Sequence, residues 1–334
     1  MKNCRNVVFR NCTFRNLRRE AVDIGDDCRD CSVVGCTIED IGTVAARIAG
    51  GDRRTLVGGR NSLEDSTVRA WGGDIIASSA GVYLEGVGNV VRGCVFADSP
   101  TLAIWNRGNQ MLVERNVFTN LSSAVDDGGA YYQGRNPSAR GNELRGNLWV
   151  DVGSAMGQGT CAVYFDDGDC GILVVDDVFV RCGFPGRAGF GTVMSHGGYG
   201  NYVRGCRFVD CVRPFGSAPW DDEKWRKFVY SPNTQNSMTN EVMATKRPYV
   251  LAYPELYRWY EDAALDGSRR SNVAVDCMVD GAPATRTTVV PGEIKPGILC
   301  GNWTTNNVQV ARPVAWDDAV RAAAENMKER AAQF

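Results

Sequence analysis

The sequence predicts an all-β solenoid. Three observations carry that prediction: a short cell that recurs along the chain, two-residue alternation inside each copy, and a second strand-like motif ahead of each copy. The cell is a polar residue, then β-branched or apolar residues, then Cys, Asn or Asp, then an aromatic or aliphatic residue. It opens as Asn6-Val-Val-Phe-Arg-Asn11-Cys12-Thr-Phe14 and returns at Cys31–Ile38, Asn89–Phe96, Met111–Phe118, Asn142–Trp149, Ile172–Phe179, Asn201–Phe208 and Asn272–Val279. Most copies lie roughly 22 to 31 residues apart, and a short fixed period built on alternation means stacked strands, one coil per repeat.

Bulk composition narrows the partners. The chain has 334 residues and a formal charge of -2, so it has no basic footprint for nucleic acid or an anionic membrane. No apolar run approaches the roughly 20 residues of a membrane span. Of the six lysines, all but Lys2 stand at or beyond Lys224. The chain enters a repeat directly at Met1-Lys2-Asn3-Cys4, with no apolar leader and no cap over the first coil. The expectation is a chain trimmed at its N-terminus, monomeric, whose full-length form is secreted or periplasmic.

Thirteen cysteines are an odd number, and their spacing is not that of a disulfide framework. Cys12, Cys36, Cys94, Cys206 and Cys277 share one repeat position with Asn116, Asn147 and Asp177. They read as an internal ladder of free thiols at the strand spacing of about 4.8 Å. Cys28-Asp-Arg-Cys31 has no second pair or histidine partner and is not read as a zinc site; no metal or cofactor is expected.

A single domain, 1–334, accommodates the whole pattern. Coils run from residue 1 to about 211. An aromatic-rich excursion follows over 212–270, where Tyr253-Pro-Glu-Leu-Tyr-Arg-Trp-Tyr-Glu-Asp262 carries proline at a first helical turn. The repeat resumes at Asn272 and again at Asn306–Val310, and 316–334 reads as a C-terminal helix with acids leading and bases trailing.

The motif ahead of each cell runs Ala21–Gly25, Gly81–Glu85, Ala103–Arg107, Gly129–Gln133, Ala162–Asp166 and Thr192–His196. Strand side chains alternate faces. With the second position apolar and inward, the third and fifth face out. The third-position stripe is Asp23, Tyr83, Trp105, Tyr131, Tyr164 and Met194; the fifth is Gly25, Glu85, Arg107, Gln133, Asp166 and His196. An exposed aromatic row suits the flat faces of sugar rings; packing beneath a long loop is the competing explanation. Trp149 occupies an inward position and is assigned to the core.

Three acidic doublets stand out: Asp26-Asp27, Asp126-Asp127 and Asp166-Asp167. Paired carboxylates cleave glycosidic bonds, one as acid and the other as base or nucleophile. Asp26-Asp27 reads as a turn. Asp127, Asp166 and Asp167 are the candidate catalytic groups. Tyr83, Glu85, Trp105, Arg107, Tyr131, Gln133, Arg135, Tyr164 and His196, the only histidine, are the candidate substrate contacts. On a straight strand Asp127 would lie roughly 20 Å before Gln133, too far to work with Asp166. Either the chain bends at Gly128-Gly129, or the alignment slips there, or Asp166 pairs with Asp167 or another residue.

Gly81–Asn89, Asp127–Arg135, Arg140-Gly-Asn142, Val163–Gly168 and His196-Gly-Gly198 resemble right-handed parallel β-helix proteins of the pectate-lyase-like superfamily, in particular bacterial glycoside hydrolase family 141. Trp220, Trp225 and Tyr253–Leu256 resemble that family's excursion. The chain differs at Thr101-Leu102, where the family often has histidine, and at Asn136, where it often has aspartate. The resemblance implies a right-handed parallel β-helix that hydrolyses a plant cell-wall glycan through two aspartates, carried here onto Asp127 and Asp166 or Asp167. The expected partner is a polysaccharide or oligosaccharide. The alternatives are a polysaccharide lyase on the same fold, for which only arginine would serve as base inside the repeats, and a glycan-binding β-helix without catalysis.

Overall fold

A computed structural model describes residues 1–262, 271–280, 302–306 and 309–310. The expected helix at 316–334 and the end of the excursion at 263–270 lie outside the described residues. The chain is a parallel β-helix. Among the described residues two ten-stranded sheets and one eight-stranded sheet run along the rod, and neighbours within each sheet are successive coils. The first sheet begins with Val8–Arg10, the second with Thr13–Leu17 and the third with Val22–Ile24.

Single residues in the left-handed region turn the corners. Asn6, Asn11 and Asn16 have φ of 56°, 52° and 55°. The same five-residue spacing recurs at Asp30, Gly35 and Asp40, at Gly88, Gly93 and Asp98, and at Gly200, Gly205 and Asp210. Asn, Asp and Gly tolerate this conformation best, which explains Asn6 and the Asp or Gly that stands just before most other cells, as at Asp30, Gly88, Gly141, Gly171 and Gly200. Most strands between corners have three to five residues, enough for one or two inward side chains each, and the third sheet lengthens to seven at Gly128–Gly134 and Thr160–Asp166.

Inside, two kinds of ladder fill the rod. Phe96, Phe118, Trp149, Phe179 and Phe208 stack with ring planes 10–15° apart, and all are fully buried, so Trp149 is core. At the corners, side chains cap backbone N–H groups of the preceding coil. Asn147 Oδ1 accepts from the Asn116 amide at 3.0 Å, Asn116 Oδ1 from Cys94 at 2.9 Å and Cys36 Sγ from Cys12 at 3.3 Å. A second ladder joins Cys31, Asn61 and Asn89 at 2.9 Å per step. Each cap satisfies a buried donor that would otherwise be unpaired. The cysteines of the described residues are free thiols, as the ladder reading required. Cys28 and Cys31 are buried in the core.

The excursion begins later than residue 212, because Phe215–Ala218 still adds a strand to the third sheet. Helix α1, Asp222–Val229, follows, with the Asp221 side chain accepting from the Lys224 amide and acids in its first turn. Trp225 and Val229, one helical turn apart, pack with Trp220, Tyr249, Tyr253, Leu256 and Trp259 into a second core. Pro254 starts a short helical run, continued by Trp259–Asp262. Anchors fix the excursion to the rod: buried Arg140 meets Glu255 at 2.8 Å, and the Tyr249 hydroxyl donates to Asn109. The last coil returns at Asn302–Asn306, and Asn306 pairs with Val275 at the end of a first-sheet strand rather than ahead of it.

Candidate active site

The outer face of the third sheet carries the site, but its register corrects the expected stripes. Tyr131 pairs with Val163 and Tyr132 with Tyr164, one residue away from the alignment by motif. A one-residue slip exchanges the two faces of a strand. Tyr131 and Gln133 therefore point inward and are buried. The Tyr131 hydroxyl donates to Gln133 Oε1 at 3.0 Å, and Gln133 Nε2 donates to Asp169 Oδ1 at 3.0 Å. Neither residue offers a sugar platform. Burial pushes the Asp169 carboxyl well up, against the bond from Gln133 and the charge of Arg140.

The true outer row is Asp23, Arg47, Tyr83, Trp105, Tyr132, Tyr164 and Met194. Its aromatic rings meet edge to face, with centroids 5.5–5.7 Å apart. Tyr83 and Trp105 are half-buried, with Arg107 over the Trp105 ring at 4.6 Å. Glu85 bonds Arg47 at 2.6 Å and faces Arg107 at 3.8 Å. At the far end Tyr164 and Met194 are covered by Phe190, so there the loop-packing explanation holds.

The acidic residues gather at one point. Gly134 lies opposite Asp166, leaving room beside its carboxylate. Asp166 Oδ2 accepts from the Tyr132 hydroxyl at 2.7 Å, and Oδ1 meets His196 Nδ1 at 2.9 Å. Asp167 Oδ1 lies 3.3 Å from the same nitrogen, and its Oδ2 accepts from Arg135 Nε at 2.7 Å. On the other side of the ring, Lys224 Nζ stands 3.3 Å from His196 Nε2. An ammonium only donates, so Nε2 accepts and Nδ1 carries the proton that points at Asp166. Burial is the largest influence on Asp166 and pushes its carboxyl up, but bonds from His196, Tyr132 and Tyr164 together hold it below the ordinary carboxylate value.

Asp127 joins this cluster through a bend. Its φ of 55° turns the chain as it enters the strand Gly128–Gly134, and its Oδ1 accepts from the Tyr164 hydroxyl at 3.2 Å. The neighbouring Tyr132, whose ring meets that of Tyr164 with centroids 5.7 Å apart, donates in turn to Asp166. The bend therefore brings Asp127 to the same aromatic row that holds Asp166. Asp126 instead caps a loop by accepting from the Gln158 and Gly159 amides. Asp26 pairs with Arg47, as a turn residue.

Asp166, Asp167 and His196 bring one ligand-type atom each within 4.8 Å of one another. Arg135 already holds Asp167, and the Lys224 ammonium faces His196. The cluster is therefore arranged for hydrogen bonding rather than for a cation. Two adjoining hollows open from it. One, about 620 Å³, runs past Gly134, Arg107, Glu85 and Arg53; the other, about 380 Å³, lies between Asp167 and the α1 face. Sequence reasoning missed Tyr132, because Tyr131 beside it fits the aromatic row equally well by pattern. It also missed Lys224, which the excursion carries back to the repeats.

Residues 55–220 match the family described as the right handed beta helix region. No curated protein matches the chain. Among solved structures, the chain is similar to the catalytic unit of a thermostable GH87 alpha-1,3-glucanase from Streptomyces thermodiastaticus strain HF3-3, at 12% identity and a TM-score of 0.40. That match covers 80% of this chain and 40% of the glucanase chain. With three parallel sheets, one coil per repeat and the matched region, the chain is a right-handed parallel β-helix.

Proposed function

We propose that the protein cleaves glycosidic bonds in a complex polysaccharide, using Asp127 and Asp166 as the working pair. The observation that carries this reading is a pair of adjoining tyrosines, rings 5.7 Å apart, of which Tyr164 donates to Asp127 and Tyr132 to Asp166. The reading requires the two carboxyls to work across the roughly 5 to 9.5 Å that glycosidases use. Asp166 is held as a carboxylate, so it serves as base toward water or as nucleophile at the anomeric carbon. Asp167 is held by Arg135, and exposed Asp127 is assigned to protonate the departing glycosidic oxygen. His196, Tyr132 and Arg135 position the pair. Tyr83 and Trp105 offer the platform for sugar rings, and Arg107, over the Trp105 ring, links it to the 620 Å³ hollow that it lines.

The test is reducing-sugar release over a panel of plant and mucosal glycans, run beside Asp127→Asn and Asp166→Asn. Release by the wild type and its loss in both variants supports the pair; full retention in both overturns it. Binding without release by any form returns the protein to a glycan-binding role.

A lyase is the second reading, favoured by one observation. The only base expected inside the repeats was arginine, yet the excursion brings Lys224 to His196. Lys224 and Arg135 would abstract a proton beside a uronate carboxylate and offset its charge. Lysis creates an unsaturated product that absorbs in the ultraviolet; hydrolysis does not.

A further inference from the structure

The two hollows beside the acidic cluster differ in charge. The 620 Å³ hollow is balanced, with Arg53, Arg107 and Arg135 against Asp26, Glu85 and Glu241. The 380 Å³ hollow is lined by Arg135, Lys224 and Lys227 against Asp167 alone. Two of the chain's six lysines therefore face one small cavity.

Its construction follows from α1. Burying Trp225 and Val229 in the second core turns Lys224, Lys227 and Phe228 toward the cavity. Trp220 and Phe228 meet edge to face and form an apolar wall. The Lys224 ammonium lies 4.4 Å from the Trp220 ring centre and, among the described residues, has no carboxylate partner. Arg135 spends its Nε on Asp167, while its side chain remains largely exposed and its terminal fork stands at the boundary of both hollows. Lys227 pairs with Glu223 at 2.6 Å, a residue outside the cavity lining. Asn233 also borders both hollows and presents an amide.

An aromatic wall, a guanidinium fork and an ammonium without a carboxylate partner make a receptor for a ring that bears an anion. A volume of about 380 Å³ falls in the range of small-ligand pockets. We propose that this cavity is a subsite for an anionic sugar residue, a uronate or a sulfated sugar, seated next to the cleaved bond. The inference rests on the catalytic reading only for its position relative to the bond; the recognition itself stands on the cavity.

Calorimetric titration tests it in the Asp166→Asn background, where turnover does not interfere. The probes are digalacturonate, a sulfated galactobiose and neutral galactobiose. At low salt at least one acidic probe binds about tenfold or more tighter than the neutral one, and the advantage shrinks as salt rises. Whichever acidic probe wins identifies the anion. Lys227→Gln, on the exposed face of the helix, reduces the advantage and leaves neutral binding unchanged, and Lys224→Gln with Lys227→Gln abolishes the advantage. Equal affinity for acidic and neutral probes, a preference that survives the double substitution, or no binding by any probe overturns the proposal. An acidic preference in a protein that releases no product from any glycan keeps the subsite and overturns the catalytic reading. Turnover of a neutral glycan without the preference does the reverse.

Discussion

Asp166 and Asp177 lie on one turn of the same rod, both buried, and burial is the largest influence on each. Their carboxyls nonetheless move in opposite directions. Asp177 sits inside the corner ladder, where it accepts from the Asn147 amide at 2.8 Å and from Trp149 Nε1 at 2.9 Å. Those neutral donors do not offset burial, and its carboxyl is pushed up to about 7. Asp166 sits on the outer face, where His196 and two phenols outweigh burial and hold it down. The difference teaches that the kind of donor and the depth together decide which way a carboxyl on this scaffold moves. It also explains why Asp177 replaces the asparagine of neighbouring coils: Trp149 brings an indole N–H that needs an acceptor.

The comparison breaks most severely at the outer acid. Asp166→Asn, or Asp127→Asn, is expected to lower glycan release by about 1000-fold or more, with the unfolding midpoint little changed for the exposed Asp127. A fall of less than about tenfold would remove the pair from the chemistry.

The inner acid yields the next effect. At pH 5 Asp177→Asn turns one acceptor into a donor facing Trp149 or Asn147, and is expected to cost about 1–3 kcal/mol in denaturant unfolding. Adding Trp149→Phe, which keeps the aromatic stack, removes most of that cost, so the two changes are strongly non-additive. The native state binds the Asp177 proton more tightly than the unfolded chain does. Wild-type stability from this group therefore falls as pH rises from about 4 toward 7 and levels off above. That slope vanishes in Asp177→Asn; if it persists, another group carries it.

Tyr132→Phe sharpens the contrast by removing one donor from Asp166. A lost bond to the charged form raises the carboxyl, so the acidic limb of the rate profile moves up by about one pH unit. The limb of a Tyr131→Phe variant, altered inside the rod, stays in place. The smallest effect belongs to the platform: Trp105→Ala is expected to raise KM up to about tenfold with kcat nearly unchanged.

Much of this architecture was legible in the residues themselves. Asn6, Asn11 and Asn16 announce corners because few other residues accept a left-handed backbone, and Phe118, Trp149 and Phe179 announce an inner column because alternation assigns them one face. The outer acids Asp166 and Asp167 were legible too, as a doublet at the end of a strand. Gly129-Ala-Tyr-Tyr-Gln133 was not, because two adjacent tyrosines satisfy either register equally well by pattern alone.

The repeat by itself determined the coil, its corners and its ladders, since those depend on conformational preferences and face alternation that act within a few residues. The tertiary structure decided which tyrosine faces the acids, how Asp127 bends to Tyr164, and that Lys224 returns from the excursion to His196. Those outcomes depend on strand register and on packing between segments far apart in the chain, where a shift of a single residue reverses the result and no local preference resists it.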